Sequence, residues 1–260
     1  AAAGAMPADV PLKPAKDWIY IGKDRDALGK FDSRAKSTGK QPYTIDVKLP
    51  GLLTAVMIHP PLFGATVKSF DATKAKSMKG VVDVVQIPRG VAIVADNMWH
   101  AMKAREAVTV EWDTSEAEKL SSSELMASYH EIAAKPGAAT ATDTGDVEKA
   151  FAAAAKVIEA TYEFPYLAHA PLEPLNAVAR IENGRVEVWG GHQMPDVYAA
   201  ISAKIAGVAA DKVTLHVMKT GGGFGRRAVA DGDIISEAVS VSKALGGRPV
   251  RVQWTREDDM

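Results

Sequence analysis

Thr220-Gly221-Gly222-Gly223-Phe224-Gly225-Arg226-Arg227 lies between two segments of different period. Before it, Val213-Thr214-Leu215-His216-Val217-Met218 alternates as a strand does. After it, Ile234–Leu245 carries apolar residues at helical spacing. A strand, a glycine cluster and then a helix place backbone N–H groups where an anion or a polar heterocycle can approach. The four glycines remove the Cβ atoms that would block that approach, and they permit positive φ. The two arginines add charge that does not titrate away. The same residues also suit a tight loop beside a surface arginine pair, and the glycines alone leave both readings open.

Two neighbouring stretches bear on the choice. Gly190-Gly191-His192-Gln193-Met194-Pro195 also follows a strand pattern and opens a helix. If the two preceding strands are neighbours, both loops leave one edge of the sheet, a common ligand position. Gln193 would present an amide donor and acceptor there, or it simply begins the helix with Pro195. The other stretch is Tyr166-Leu167-Ala168-His169-Ala170-Pro171-Leu172-Glu173-Pro174. Its prolines mark a fixed crossing in an apolar setting. His169 and Glu173 could form a metal or acid–base pair, but Pro171 argues against a helix that would align them. Glu173 reads as a carboxylate satisfied by backbone donors.

Outward from these loops the chain reads as α+β. Short strands are expected at Tyr43–Val47, Leu52–Ile58, Thr66–Phe70, Val81–Ile87, Val91–Ala95 and Thr109–Trp112. Small helices fall around Ala72–Met78 and after Asp96 or Asn97, the second burying Met98, Met102 and Trp99. Helices near Ser123–Ala134 and at Val147–Ala155, capped at Asp146, follow in a Ser-, Ala- and Thr-rich connector region. Lys156–Phe164 alternates as a strand. Leu175–Ile181 and Val186–Trp189 flank Asn183-Gly184, a hairpin signal. A helix at Asp196–Ile205 and a strand at Val250–Trp254 complete the pattern. The boundaries are an extended arm at 1–40, a strand-rich domain at 41–115, a connector at 116–145 and an incomplete domain at 146–260. An end directly after Val250–Trp254 suggests a piece of a longer protein. An apolar patch is then expected around the Gly221 loop and the Val250 strand.

Composition removes other functions. Among 260 residues, 31 Lys and Arg face 32 Asp and Glu, so the net charge is −1. That gives no electrostatic case for nucleic acid or an anionic membrane, and no apolar run approaches a membrane span. The absence of cysteine excludes disulfides, thiolate metal sites and Cys nucleophiles within this chain. The histidines show no zinc-ligand spacing. No Gly-Lys-Ser/Thr follows the glycine loop, no acidic residue completes a dinucleotide fingerprint, and no Gly-x-Ser-x-Gly elbow occurs.

In this order, the Tyr166–Pro174, Gly190–Pro195 and Gly221–Arg227 stretches resemble the molybdenum-binding subunit of the xanthine oxidase family. They are most similar to isoquinoline 1-oxidoreductase β subunits and related bacterial aldehyde dehydrogenases. Val81–Pro88, Val91–Asn97 and Ala101–Asp113 resemble that family's a/b hammerhead domain. The resemblance spans roughly Lys36 to Met260. It implies that 41–115 is the hammerhead domain and that 146–260 begins the molybdopterin-binding α+β domain.

The activity implied is aldehyde oxidation or hydroxylation of N-heteroaromatic rings, with water as oxygen source. The cofactor implied is molybdenum-molybdopterin in its cytosine dinucleotide form. Gln193 takes the place of the glutamine that hydrogen-bonds an oxo ligand of molybdenum. Gly222, Gly223, Phe224, Gly225 and Arg226 take that of the loop packed on the cofactor and substrate mouth. The partners implied are a [2Fe-2S] small subunit, a c-type cytochrome and the missing C-terminal half, and the location implied is the periplasm. Ala228 stands where purine-oxidising relatives carry a substrate-gripping glutamate, which disfavours purines. The family's general-base glutamate lies downstream and is neither Glu237 nor Glu257. No catalytic residue or protein metal ligand is therefore assigned, and the chain alone is expected to be inactive. The alternatives are a non-catalytic scaffold module that keeps the fold, and an unrelated nucleotide-binding domain.

Overall fold

The computed structural model describes residue 9, residues 11–22 and residues 30–260. The opening Ala1–Met6 and part of the expected arm lie outside these. The chain divides into a unit at Ala1–Gln41 and a larger unit at Pro42–Met260. In the first, a 3-10 turn at Ala15–Asp17 and helix α1 (Ser33–Ser37) bury no residue. Trp18 donates its indole N–H to the Lys13 carbonyl at 2.9 Å.

The second unit is built on β1 (Leu53–Ile58), β2 (Thr66–Asp71), α2 (Thr73–Lys76), β3 (Val81–Ile87), β4 (Gly90–Ala95), α3 (Met98–Arg105) and β5 (Thr109–Asp113). It continues with α4 (Ser122–Ala133), α5 (Val147–Ala153), β6 (Asn176–Glu182), β7 (Arg185–Gly190), α6 (Pro195–Ala206) and β8 (Val213–Val217). Helix α7 (Asp233–Ala244), β9 (Val250–Gln253) and α8 (Arg256–Asp259) close it. Seven strands form one sheet in the order β3-β4-β1-β9-β6-β7-β8, and β2 pairs with β5 apart from it. The β1–β9 and β7–β8 pairs are parallel. The other ladders in the large sheet are antiparallel.

Alternation builds two cores. On β1 and β4, Leu53, Ala55, Met57, Ala92 and Val94 turn to the core that holds α7. Val56, Val91, Ile93 and Ala95 turn to the core that holds α2 and α3. Helix α7 buries Ile234, Ile235, Ala238, Val239 and Val241, a 3.6-period stripe. Each large aliphatic side chain among them contributes about 1.5–3 kcal/mol. The hairpin turn between β6 and β7 places Asn183 and Gly184 at φ 52° and 70°, which their small or absent side chains tolerate.

Several expectations need correction. Tyr43–Val47 is not a strand. Thr44–Asp46 is a 3-10 turn, because the Asp46 carboxylate accepts the Tyr43 N–H at 2.9 Å and curls the chain; only Tyr43 bridges Lys219. Lys156–Phe164 pairs with no strand among the described residues. Trp99 is exposed, while Met98 and Met102 are half-buried against the α3 side of the sheet. The Val250 strand is no border: β9 is the fourth of seven strands, buried between β1 and β6. The β1–β9 pairing joins a strand of 41–115 and a strand of 146–260 in one sheet. Exposed large apolar residues do lie beside the Gly221 loop, at Leu172, Val217 and Phe224, and more of them run along 129–170, where every residue is exposed.

Candidate functional site

Strands β7 and β8 run parallel and adjacent, with Gly190 opposite Val217. Their C-terminal ends therefore release the Gly190 and Gly221 loops at one edge of the sheet, the placement where α/β folds gather ligands. The first loop enters α6 through Pro195 at its first position. The second makes a short 3-10 turn at Arg226–Ala228 before α7.

The two loops touch. The Gln193 N–H donates to the Arg227 carbonyl at 2.9 Å. A Cβ on Gly223 would lie 3.1 Å from Gln193 Oε1, so the side-chain amide lies close against the bare loop. Gly191 is far more constrained, since its Cβ would fall 1.5 Å from Thr220 Cγ2. The Tyr166–Pro174 stretch joins the site only at its end. Glu173 Oε2 accepts the Gly221 N–H at 2.6 Å, and Oε1 accepts from Asn176 Nδ2 at 2.9 Å. One oxygen is thus satisfied by a backbone donor, as expected of Glu173, and the other by a side-chain amide. His169 is exposed and makes no pair with it among the described residues.

Arg227, only 4% exposed, ties the three stretches together. It donates to the Gly222 carbonyl at 2.8 Å, the Gly191 carbonyl at 3.3 Å and the Glu173 carbonyl at 3.1 Å. Burial pushes its guanidinium below the ordinary value, opposed by Glu173 and Asp259, but an arginine so placed stays charged. Arg226, the neighbour singled out from the sequence, instead pairs with Asp233 at 2.6 Å and lies over the Trp254 ring at 5.3 Å. One of its nitrogens, Nη1, is buried without an acceptor.

The rim of the loop is open. Phe224 is 75% exposed and held at φ 52°, a conformation a bulky residue avoids unless its surroundings impose it. Gly222 and Gly225 flank it at φ 115° and 90°. Among the described residues, the N–H groups of Gly222, Gly223, Phe224 and Gly225 donate no hydrogen bond. Four successive free donors beside a primary amide suit a flat, electron-rich polar group.

His192 is a site residue that the sequence reading passed over. It is 9% exposed, packs edge-on against Tyr198 at 5.5 Å, and leaves both ring nitrogens without a partner. Burial lowers its pKa, so the ring is held neutral. The signal available was its position, between an obligatory glycine and Gln193. Tyr198 in turn donates to the Arg227 and Val229 carbonyls at 3.0 and 2.9 Å, binding α6 to the glycine loop.

Comparison with known proteins matches residues 129–260 to the molybdopterin cofactor-binding domain. The chain is 36% identical over 262 residues to a membrane-bound aldehyde dehydrogenase (pyrroloquinoline-quinone) of Gluconacetobacter polyoxogenes, covering 97% of this chain and 33% of that protein. It is 30% identical over 268 residues to the isoquinoline 1-oxidoreductase subunit beta of Brevundimonas diminuta, covering 100% of this chain and 34% of that protein. Among solved structures, quinoline 2-oxidoreductase from Pseudomonas putida 86 superposes with a TM-score of 0.62 at 20% identity, over 88% of this chain and 34% of that one. That likeness is one of fold. The chain spans about a third of the length of these relatives. Among the described residues no helix is long and apolar enough to cross a membrane.

Proposed function

This chain belongs to the family of molybdopterin cofactor-binding domains, and on that premise we propose that it forms one wall of the cofactor site in a molybdenum hydroxylase large subunit. The reaction proposed is the oxidation of aldehydes or the hydroxylation of N-heteroaromatic rings, with oxygen taken from water. The relatives named for aldehyde and isoquinoline oxidation support those substrate classes. The observation that carries the reading is the meeting of Gln193 with a glycine loop whose four N–H groups stay free.

When bound, the molybdenum–pterin group, in its cytosine dinucleotide form, supplies the two-electron oxidation. The residues of this chain hold and orient. Gly222, Gly223, Phe224 and Gly225 would offer their N–H groups to the polar edge of the pterin. Gln193 would steady an oxygen ligand through its amide. Arg227 keeps the three contributing stretches together, and Arg226, paired with Asp233, fixes the loop's exit into α7. The general base belongs to polypeptide outside this chain, so the isolated chain is inert. The same proposal includes residues 41–115 as the hammerhead domain and electron exit through a [2Fe-2S] small subunit. It further includes a c-type cytochrome as acceptor and a periplasmic location, testable by reconstitution and cell fractionation.

A quinone cofactor is the second reading, because one relative carries pyrroloquinoline-quinone in its name and the loop's bare glycines admit any flat polar heterocycle. Elemental analysis of the whole parent protein, made in a host that synthesises molybdopterin, separates the two. Molybdenum near one atom per chain is expected. Its absence, with a quinone recovered in the extract, would overturn the proposal.

A further inference from the structure

Residues 156–164 carry a strand's pattern without a strand's partners. Strand alternation would put Lys156, Ile158, Ala160, Tyr162 and Phe164 on one face, and Val157, Glu159, Thr161 and Glu163 on the other. Among the described residues, no backbone N–H or carbonyl from 156 to 170 enters a backbone hydrogen bond. Ile158, Tyr162 and Phe164 are each 79% exposed. The polar face is the one in contact with the rest of the chain: Glu163 Oε1 meets His130 Nε2 on α4 at 2.6 Å. Just beyond, the Tyr166 and Tyr129 hydroxyls meet at 2.6 Å. The apolar face and both backbone edges are left over. Such an amphipathic edge is a template for pairing.

We propose that residues 156–164 are a docking strand for polypeptide of the longer parent chain outside residues 1–260, which adds a strand alongside and covers the apolar face. This rests on the reading that the chain is part of a larger family member. Two observations select this occupant. The family match runs from 129 to 260, so the exposed stretch is part of the shared domain and not an insertion. The relatives hold about twice as much further sequence as this chain supplies. A second copy is a poorer occupant. Antiparallel self-pairing centred on Thr161 sets Glu159 opposite Glu163 twice, and like charges face to face destabilise a ladder.

Amide hydrogen exchange in the whole parent protein tests this, with the 260-residue chain as reference. The 156–164 amides should exchange freely in the shorter chain and about 100-fold more slowly in the parent. Thr161→Pro in the parent should abolish that protection, while the β1, β4 and β6 amides keep theirs. Glu159→Pro, which removes an N–H from the same edge, should act alike. Equal exchange of 156–164 in both proteins would overturn the inference. So would protection that appears in the shorter chain as its concentration rises, which assigns the strand to a second copy. Molybdenum is measured on the same samples. Protection without the metal leaves this inference standing and removes the functional reading; metal without protection does the reverse.

Discussion

Gln193 was singled out because an amide beside a bare peptide turn can steady an oxygen ligand, and the fold sets it against Gly223. Its side chain is exposed, so Gln193→Ala should leave folding unchanged. In the metal-loaded parent, turnover should fall by about 10²-fold or more, the usual cost of a lost preorganised donor. Turnover within about twofold of the parent would remove Gln193 from the site. His192 behaves differently. Its pKa is lowered in the fold, so the unfolded chain binds the proton first as pH falls. Stability is then full above the ordinary histidine value of about 6.5 and declines below it, towards the folded value. His192→Leu should flatten this decline, read as the change in urea midpoint between pH 7.5 and 5.5. The two arginines show where residue-level reading stops. Both were legible as charge beside the glycines, but only packing decides that Arg227 binds three carbonyls and Arg226 turns to Asp233 and Trp254.

Capping and alternation are local, and they were read correctly where they act locally. Asn97 accepts the His100 N–H at 2.9 Å at the start of α3, and Asp146 accepts that of Lys149 at 2.9 Å at the start of α5. Asn97→Ala should cost about 1 kcal/mol in urea unfolding. Exchange of the glycine-loop amides should be untouched, since α3 packs on the opposite face of the sheet from α7. Lys156–Phe164 has a strand's alternation in sequence and no strand partner among the described residues, because pattern specifies a face and not a partner. Tyr43–Val47 fails for the opposite reason: a carboxylate three residues ahead captures the amide that a ladder would need. That β7 and β8 be neighbours was the condition set for a common loop edge, and they are, running parallel. It could be framed from sequence but not decided there.

Across the molecule, a single buried carboxylate links elements that are remote in sequence. Glu237, 0% exposed on α7, accepts from His59 Nε2 at 2.8 Å, Arg89 Nε at 3.3 Å and Trp254 Nε1 at 2.7 Å. These partners follow β1, lie in the β3–β4 turn and follow β9. Glu237→Leu should therefore cost about 1–3 kcal/mol, because it leaves the buried Trp254 N–H without its acceptor while Arg89 keeps its pair with Asp231. Urea unfolding reads this directly; a loss under 1 kcal/mol would mean the network contributes little. Nothing in the local pattern around Glu237 announced that role, since its three partners come from distant parts of the chain.

The parallel pairing of Leu53 with Val250 has a consequence for synthesis. At about 5–20 residues per second, the ribosome delivers β9 roughly 10–40 s after β1. Through that interval β1 has β4 on one side and an unsealed apolar edge on the other. A chaperone that shields nascent strands should bind this chain in that window, and release it once the fourth strand of the sheet has emerged.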